Sequence, residues 1–318
     1  MKTQSSDLDY FAGDPPKRGY LKKIVPGIWW LRMPLPMALD HINLWLLEDN
    51  NGITIIDTGF CNSESKDVWR RTLSKLGAQR SINRVIVTHF HPDHVGHAAW
   101  LTSTHNAPLY MPRTEWLYAR MLALDSGPEY MESFAQLFKK SGCPLSILDY
   151  TKKSKSFFGQ FAELPPSGFH RVQNGDTLDI GNRNWKVLMG YGHSPEHACL
   201  FSEIDGLLIS GDIILPRITP NIGVYPDQPE ADPLSDYYQT LREFSLLPSG
   251  IKVLPSHNEP FEGLHTRLSS LIDHHDIRLE WALEACKRPT NAWDVAQKLF
   301  KRPLTPGSTL FAMPETLA

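Results

Sequence analysis

The sequence is poor in cysteine, and its cysteines lie far apart. The four among 318 residues are Cys61, Cys143, Cys199 and Cys286, and no two form a CxxC pair. Such spacing is atypical of a disulfide framework and fits free or buried thiols in a reducing compartment. We therefore expect a cytoplasmic protein.

The sequence also lacks long apolar runs and a strong excess of charge of one sign. No apolar run is long enough to span a bilayer, and the first twenty residues are polar, without the apolar core of a signal peptide. The formal net charge is only -3, so nothing global attracts the chain to nucleic acid or anionic lipid. The sequence predicts neither a membrane nor a nucleic-acid partner.

Short apolar segments separated by turn residues run through most of the chain. Segments such as GITIIDTG and RVIVTHFH alternate with a predicted helix, SESKDVWRRTLSKLG, which Gly77 closes. This alternation predicts an α/β fold with its chemistry in loops at one edge of a sheet. We expect an N-terminal arm over residues 1–22, a catalytic domain over 23–263 and a helical C-terminal region over 264–318. The polar arm could pack on a second copy, which leaves a homodimer open.

Residues from about 112 to 167 interrupt the strand pattern. Two stretches, TEWLYARMLAL and EYMESFAQLFKKSG, carry apolar residues at helical spacing. We expect a helical insertion that is either a lid over a substrate pocket or a helix pair packed on the sheet. Its aromatic residues favour a partly apolar pocket; they are Trp116, Tyr118, Phe134 and Phe138.

The segment THFHPDH places three histidines and one aspartate within six residues. These are too many polar side chains for a packed core, and imidazole and carboxylate are the ligands that borderline-soft divalent metals prefer. His89 and His91 are alternate residues at the end of a predicted strand, so they share a face and can hold one metal together. Asp93 and His94 follow where the chain turns toward a helix, and they can reach a second metal.

Three more candidate ligands follow predicted strands downstream. His193 lies in YGHSPEH, Asp212 follows Ser210 and Gly211 at the end of the apolar strand LLIS, and His257 lies in LPSHN. Each alone is a weak signal, because a single His or Asp at a strand end is more often structural. Their joint occurrence after the histidine cluster favours one shared site.

With these segments in place, the sequence resembles the metallo-β-lactamase superfamily, particularly its glyoxalase II-like branch. The matching segments are DTG (57–59), HFHPDH, GHSPEH, SGD and PSH, within residues 25–263. The resemblance implies a four-layer αββα sandwich with the site between loops at one sheet edge. It implies that Asp57 supports the site instead of binding metal. We expect the nearby His97 and His197 to support the ligands or cap helices.

The resemblance also implies a complete set of ligands for two metals. The positions form two sets of three and a bridge: His89, His91 and His193; Asp93, His94 and His257; and Asp212. Because all are filled, a dinuclear site is favoured over a mononuclear one. We expect two divalent ions, with zinc favoured and iron or manganese as alternatives.

A dinuclear site predicts hydrolysis. Two ions about 3.5–4 Å apart can share a water and lower its pKa toward about 7, so the nucleophile would be a hydroxide. Asp93 and Asp212 would be the catalytic carboxylates that orient it and carry a proton to the leaving group. Cys61 and Cys199 have no obvious base partner in sequence, which argues against a covalent route. The leading hypothesis is a binuclear, zinc-type hydrolase of a small carboxylic ester, thioester or lactone.

Two other activities of the same superfamily stay open. One is an endoribonuclease or phosphoesterase, because the C-terminal region is similar to that of lactamase-like endoribonucleases. Its basic residues could bind RNA phosphates. They are Arg267, Arg278, Lys287, Arg288, Lys298, Lys301 and Arg302. Acidic residues lie among them, which favours a solvated helix face instead. The other is a persulfide dioxygenase with one iron at His89, His193 and Asp212, which would leave the second ligand set superfluous. A non-catalytic binding protein would be expected to lack ligands, and none is missing.

Overall fold

The computed structural model describes residues 8–50, 52–77 and 81–318. Within them, the strands form a seven-stranded and a six-stranded sheet. The first sheet keeps chain order: β1 Leu21–Val25, β2 Ile28–Pro34, β3 His41–Asp49, β4 Gly52–Ile56, β5 Ser81–Ile86, β6 Leu109–Pro112 and β7 His170–Val172. The second runs β13-β12-β11-β10-β9-β8: β8 Thr177–Ile180, β9 Arg183–Gly190, β10 His197–Ser202, β11 Leu207–Gly211, β12 Lys252–Pro255 and β13 Phe261–Glu262.

The helices connect these strands and follow the last of them. Their bounds are α1 Ser63–Leu76, α2 Pro92–Val95, α3 Ala98–His105, α4 Arg113–Leu124, α5 Pro128–Lys140, α6 Leu145–Lys153, α7 Phe157–Phe161, α8 Pro233–Phe244, α9 Leu264–Ala285, α10 Ala292–Leu299 and α11 Pro306–Leu317. The prediction of α1 is confirmed: Asn62 caps its first turn and Gly77 follows it at φ 97°. None of the helices that the structure describes is both long and apolar enough to cross a bilayer.

Strand β3 shows why the sheets are buried on both faces. Its side chains alternate, so Leu44 and Leu46 face one apolar cluster while Trp45 and Leu47 face another. The first cluster is shared with α1 and α3, and the second is shared with β9–β12 of the other sheet. A third cluster joins the outer face of the second sheet to α8 and α9. The layers are therefore helix, sheet, sheet, helix, and the predicted four-layer αββα sandwich is confirmed.

The two sheets are joined by hydrogen bonds at one edge. The Ala198 amide donates to the Thr88 carbonyl at 2.9 Å, and the Asn43 amide donates to the Ser256 carbonyl at 2.6 Å. The Asn43 side chain accepts from the buried Trp30 indole and donates to the Pro255 carbonyl. These bonds join the end of β5 to β10 and the end of β12 to β3, at the edge where the predicted metal motif lies.

The interruption in the strand pattern corresponds to four helices, α4–α7, between β6 and β7. The sequence pattern predicts α4 and α5, whereas α6 and α7 carry no periodic signal of comparable length. At the other end of the chain, α9 and α10 lie within the predicted helical C-terminal region, 264–318. The sequence pattern alone predicts no separate helix at α11, where Gly307 and Pro314 lower the helical propensity.

The described part of the N-terminal arm packs on its own chain. Asp9 pairs with Glu262 on the edge strand β13, and Leu8 and Tyr10 contact the apolar cluster under α8 and α9. The Arg217 guanidinium lies 4.3 Å from the centre of the Tyr10 ring. This segment therefore covers the edge of the second sheet, while the first seven residues lie outside the described residues.

Candidate metal centre

Every candidate ligand follows the carboxyl end of a strand or begins the helix next to one. His89 and His91 follow β5, Asp93 and His94 lie in α2, and the other three follow β9, β11 and β12. The strands end at the same edge of the sandwich, so seven residues from four chain segments meet there. His89 and His94 are fully buried, and the others are buried or half-buried.

The histidines of the first predicted set, His89, His91 and His193, direct their ring nitrogens at one point. His89 Nε2 lies 2.8 Å from His91 Nδ1 and 3.3 Å from His193 Nε2. The three ligand atoms lie within 4.8 Å of one another, close enough to coordinate one ion. Nitrogen lone pairs held this close repel unless a proton or a cation lies between them.

The second set forms a similar group beside the first. Asp93 Oδ2 lies 3.8 Å from His94 Nε2 and 3.4 Å from His257 Nε2. Asp212 lies between the two sets: its Oδ1 is 3.5 Å from His94 Nε2. Its Oδ2 is 3.6 Å from His193 Nε2 and 3.4 Å from His257 Nε2. The structure thus brings all seven predicted site residues together, with Asp212 at the position the resemblance gives to a bridge.

Two atoms at the centre test whether a metal fits. Among the described residues, His94 Nε2 and Asp212 Oδ1 are buried and make no hydrogen bond. A buried polar atom without a partner is costly, and a divalent cation would give both atoms one. The chemistry of the donors, imidazole and carboxylate, also matches the ligands of zinc, iron and manganese. The residues present therefore fit two divalent ions.

The two sets differ in electrostatics. Burial, reinforced by the neighbouring His193, lowers the pKa of His91 to about 3, and burial holds the pKa of His89 well below its usual range. For His257, burial opposes the charged form, but the carboxylates of Asp212 and Asp93 outweigh it and raise the pKa to about 10. Without metal, the first set is neutral and ready to donate lone pairs, whereas the second is a charged cluster from which a metal must displace protons.

Carbonyl oxygens fix the orientation of two of these histidines. His193 Nδ1 lies 2.8 Å from the Asn221 carbonyl, and His257 Nδ1 lies 2.9 Å from the His41 carbonyl. Because each Nδ1–H donates outward, each Nε2 is left to face the centre. Asn221 in turn contacts Glu315 in α11, so the C-terminal helix reaches the His193 loop. Neither Asn221 nor His41 carries any signal in the sequence pattern.

Asp57 supports the centre as the resemblance implies. Its carboxylate accepts hydrogen bonds from the Thr88 amide and hydroxyl, and it contacts His94 Nδ1 at 2.8 Å. The residue is buried and adopts a left-handed backbone conformation at φ 61°. Non-glycine residues seldom adopt that conformation, and Asp is among the few that tolerate it.

The two other nearby histidines have different roles. His197 Nε2 accepts a hydrogen bond from the Asp212 amide at 3.1 Å, which supports the bridging loop as expected. A Cβ on Gly211 would lie 2.2 Å from the His197 ring, so only glycine fits there. His97 occupies the N-cap position of α3, but its side chain makes no capping hydrogen bond and contacts the Asn62 carbonyl instead. Of the two expected roles, His97 therefore does not cap α3 through its side chain, because its imidazole is directed at the Asn62 carbonyl before α1.

Glu115 in α4 is a further site residue that the sequence pattern does not reveal. Its buried carboxylate accepts hydrogen bonds from the Phe90 amide, the Ser194 hydroxyl and the Glu196 amide. It therefore joins the loop that carries His89 and His91 to the loop that carries His193. A glutamate in the first turn of a helix is an ordinary feature, and its partners are distant in sequence.

Burial raises the pKa of Glu115 to about 7, although hydrogen bonds from Glu196, Phe90 and Ser194 oppose the shift. The folded chain thus keeps this proton at pH values where the unfolded chain, with a pKa near 4.5, has released it. Stability must fall as pH rises between these two values. In chelator-treated protein, we expect the unfolding free energy of the parent to fall by about 2–3 kcal/mol relative to Glu115→Gln between pH 5 and 8. Urea denaturation at four pH values measures this; a constant difference would contradict it.

Comparison with known proteins now identifies the family. The family model described as Metallo-beta-lactamase superfamily matches residues 38–257, well over half of the chain. A second model, described as Metallo-beta-lactamase-like, C-terminal domain, matches residues 279–318. The chain belongs to the metallo-β-lactamase superfamily. The resemblance drawn from the motifs is confirmed. The protein is a metallo-hydrolase of this superfamily, and its seven candidate ligands lie in one cluster.

Alignments with similar proteins cover most of this chain. The crystal structure of a beta-lactamase domain protein from Burkholderia ambifaria is 37% identical, with a TM-score of 0.90 over 98% of this chain and 91% of that one. The probable metallo-hydrolase YqjP of Bacillus subtilis (strain 168) is 26% identical over 278 residues, 85% of this chain and 84% of YqjP. The acyl-coenzyme A thioesterase MBLAC2 of Homo sapiens is 25% identical over 250 residues, 76% and 81% of the two chains.

Proposed function

We propose that this protein hydrolyses a small carboxylic ester, thioester or lactone at a dinuclear, zinc-type centre. The observation that carries the proposal is Asp212, which lies within 3.6 Å of nitrogens from both ligand sets. One ion would be held by His89, His91 and His193, the other by Asp93, His94 and His257, with Asp212 shared. Bound there, two such ions would polarise a carbonyl and make water acidic enough to supply a nucleophile near neutral pH.

The carboxylates of Asp93 and Asp212 would orient the attacking water and accept its proton. Asp93 Oδ2 and Asp212 Oδ2 both lie 3.4 Å from His257 Nε2, so a water between them has two acceptors at hand. Asp212 is fixed by the His197 contact to its amide, which suits it to orient that water. Asp93 is the more exposed of the two, which suits it to pass the proton to a leaving alkoxide or thiolate.

The cysteines near the centre do not support a covalent route. Cys61 donates to Glu163, and burial together with that carboxylate raises the pKa of its thiol to about 12. Cys199 is fully buried beside His197, and burial raises the pKa of its thiol well above its usual range. A thiol is a poor nucleophile until it loses its proton. Water is therefore the better candidate.

The choice of ester-like substrates over RNA has support from the C-terminal helices. Arg267, one of the basic residues that could form an RNA surface, is buried and donates to the Leu215 and Ile218 carbonyls. Arg278 pairs with Glu315 at 2.9 Å. The thioesterase activity in the name of the human relative also favours a carbonyl substrate.

Metal removal tests the proposal. The experiment is metal analysis of gently purified protein, with a screen of p-nitrophenyl esters, acyl thioesters and lactones before and after chelation. We expect two zinc-like ions per chain and turnover that chelation abolishes and zinc restores. One tightly bound iron with oxygen uptake on persulfides, or salt-dependent RNA cleavage without ester turnover, would contradict the proposal.

A further inference from the structure

A cavity of about 570 Å³ opens directly beside the candidate metal centre. Phe90, His91 and Pro92 of the ligand loop form part of its wall. The remaining wall comes from α4–α7, the loop around Tyr225 and the helix α11. The cavity is thus continuous with the site, and the helical insertion and the C-terminal helix enclose it jointly.

The wall is mostly apolar. Aromatic and aliphatic side chains from three directions face the space; they include Leu122, Met131, Phe134, Phe158, Leu310 and Phe311. The predicted aromatic pocket is present in part: Tyr118 and Phe134 line it, whereas Trp116 stacks on Phe169 and Phe138 is buried behind the wall. A space of this size and lining suits an apolar group, and ligand pockets typically measure about 300–1,000 Å³.

The charge at the end near the metal centre decides which part of a substrate enters. Tyr118 packs on Phe90 and donates to Asp227 at 2.6 Å, so a carboxylate lies close to the ligand loop. The lining lysines, Lys153 and Lys155, are exposed and belong to the segment that ends α6 and precedes α7. A carboxylate near the reacting end disfavours an anionic leaving group in the cavity. An uncharged acyl chain is not repelled by this carboxylate.

We propose that the cavity binds an unbranched apolar acyl chain of the substrate, with its carbonyl at the His91 end. This inference rests on the proposed hydrolysis and specifies its substrate as an acyl ester or thioester with an unbranched apolar chain. Chain length then contributes through burial of each methylene against Leu122, Phe134 and Leu310. The expected gain is about fourfold in kcat/KM per methylene until the cavity is full.

Gly307 offers a variant that closes the cavity without altering the metal ligands. It lies in the first turn of α11 and lines the cavity, and a Cβ there would meet only the Tyr150 hydroxyl, at 3.4 Å. Gly307→Trp would therefore place an indole in the space. Gly250→Trp is the matched control, because a Cβ on Gly250 meets nothing within 4 Å and this residue is not part of the cavity wall.

The experiment compares p-nitrophenyl acetate, butyrate, hexanoate and octanoate on the zinc-loaded parent and both variants. We expect kcat/KM to rise at least 100-fold from acetate to octanoate in the parent and in Gly250→Trp. Gly307→Trp should lose at least tenfold on octanoate and change less than twofold on acetate. Equal kcat/KM for acetate and octanoate in the parent, or an unchanged octanoate preference in Gly307→Trp, would overturn the inference.

A binding measurement separates this inference from the proposed function. Titration calorimetry with octanoate and acetate compares ligands that share one carboxylate, so their difference reports the chain alone. We expect octanoate to bind the parent at least 30-fold more tightly than acetate, and Gly307→Trp to abolish that difference. If the difference is found but no ester is hydrolysed, the proposed function fails and the cavity assignment stands. If no difference is found, the cavity assignment fails even where esters are hydrolysed.

Discussion

Replacing Asp212 with alanine should abolish occupancy of the metal centre and lower ester hydrolysis by at least about 1,000-fold. The carboxylate contacts His94, His193 and His257, so its loss removes the group common to both ligand sets. A 1,000-fold loss corresponds to about 4 kcal/mol of transition-state stabilisation, within the several kcal/mol that metal ions supply in hydrolases. Metal analysis and kcat/KM of the same preparation measure both effects.

The control for this variant is Asp236→Ala, which removes an exposed aspartate from the first turn of α8. It should keep full metal content and activity. Circular dichroism in the near ultraviolet shows whether Asp212→Ala keeps its tertiary packing. An Asp212→Ala protein that is folded, retains two metals and remains within tenfold of the parent would refute the bridging role.

The second large effect is expected at Asp57. Replacement with alanine removes the acceptor for the Thr88 amide and leaves His94 Nδ1 without its carboxylate. Removing one member of a buried pair typically costs about 3–5 kcal/mol, and alanine tolerates the backbone at φ 61° less well than aspartate. We therefore expect Asp57→Ala to lower the unfolding free energy by about 3–5 kcal/mol, measured by urea denaturation of chelator-treated protein.

Asp57→Asn separates the loss of the carboxylate from the strain that alanine adds at a left-handed backbone position. Asparagine also tolerates a left-handed backbone and keeps one acceptor oxygen, so this variant should remain folded. Its amide cannot hold His94 as the carboxylate does, and metal affinity should fall by about 10–100-fold. Competition with a fluorescent zinc chelator measures the affinity. If Asp57→Asn binds zinc as tightly as the parent, the carboxylate does not orient His94.

The ligands could be predicted from sequence because each one follows a short apolar strand or lies in the helix that comes directly after one. His89, Asp212 and His257 lie where a strand ends, and strands that end at one edge bring their next residues together. A local pattern therefore predicts a distant contact. The confirmed αββα layering has the same origin, since the alternation of strand and helix determines which faces are buried.

The supporting contacts could not be predicted, because nothing local marks them. Glu115 accepts bonds from residues 25, 79 and 81 positions away, and only the packing of α4 on the ligand loops brings them into reach. Asn221 acts through its backbone carbonyl, which every residue type has. The cavity depends on how α11 docks against α6 and against the loop at Val224, whose amide donates to the Pro314 carbonyl. Such features depend on tertiary packing, which residue spacing does not encode.

The position of the helical insertion affects how this protein could diversify. Strands β6 and β7 are parallel neighbours, so the chain must leave the sheet and return between them. The helices α4–α7 form this connection between the two strands. They contribute part of the cavity wall but none of the seven ligands. New lengths or sequences there could be selected, or grafted in the laboratory, for other substrates while the hydrolytic centre is inherited unchanged. Glu115 limits that freedom, because any replacement must still supply an acceptor for both ligand loops.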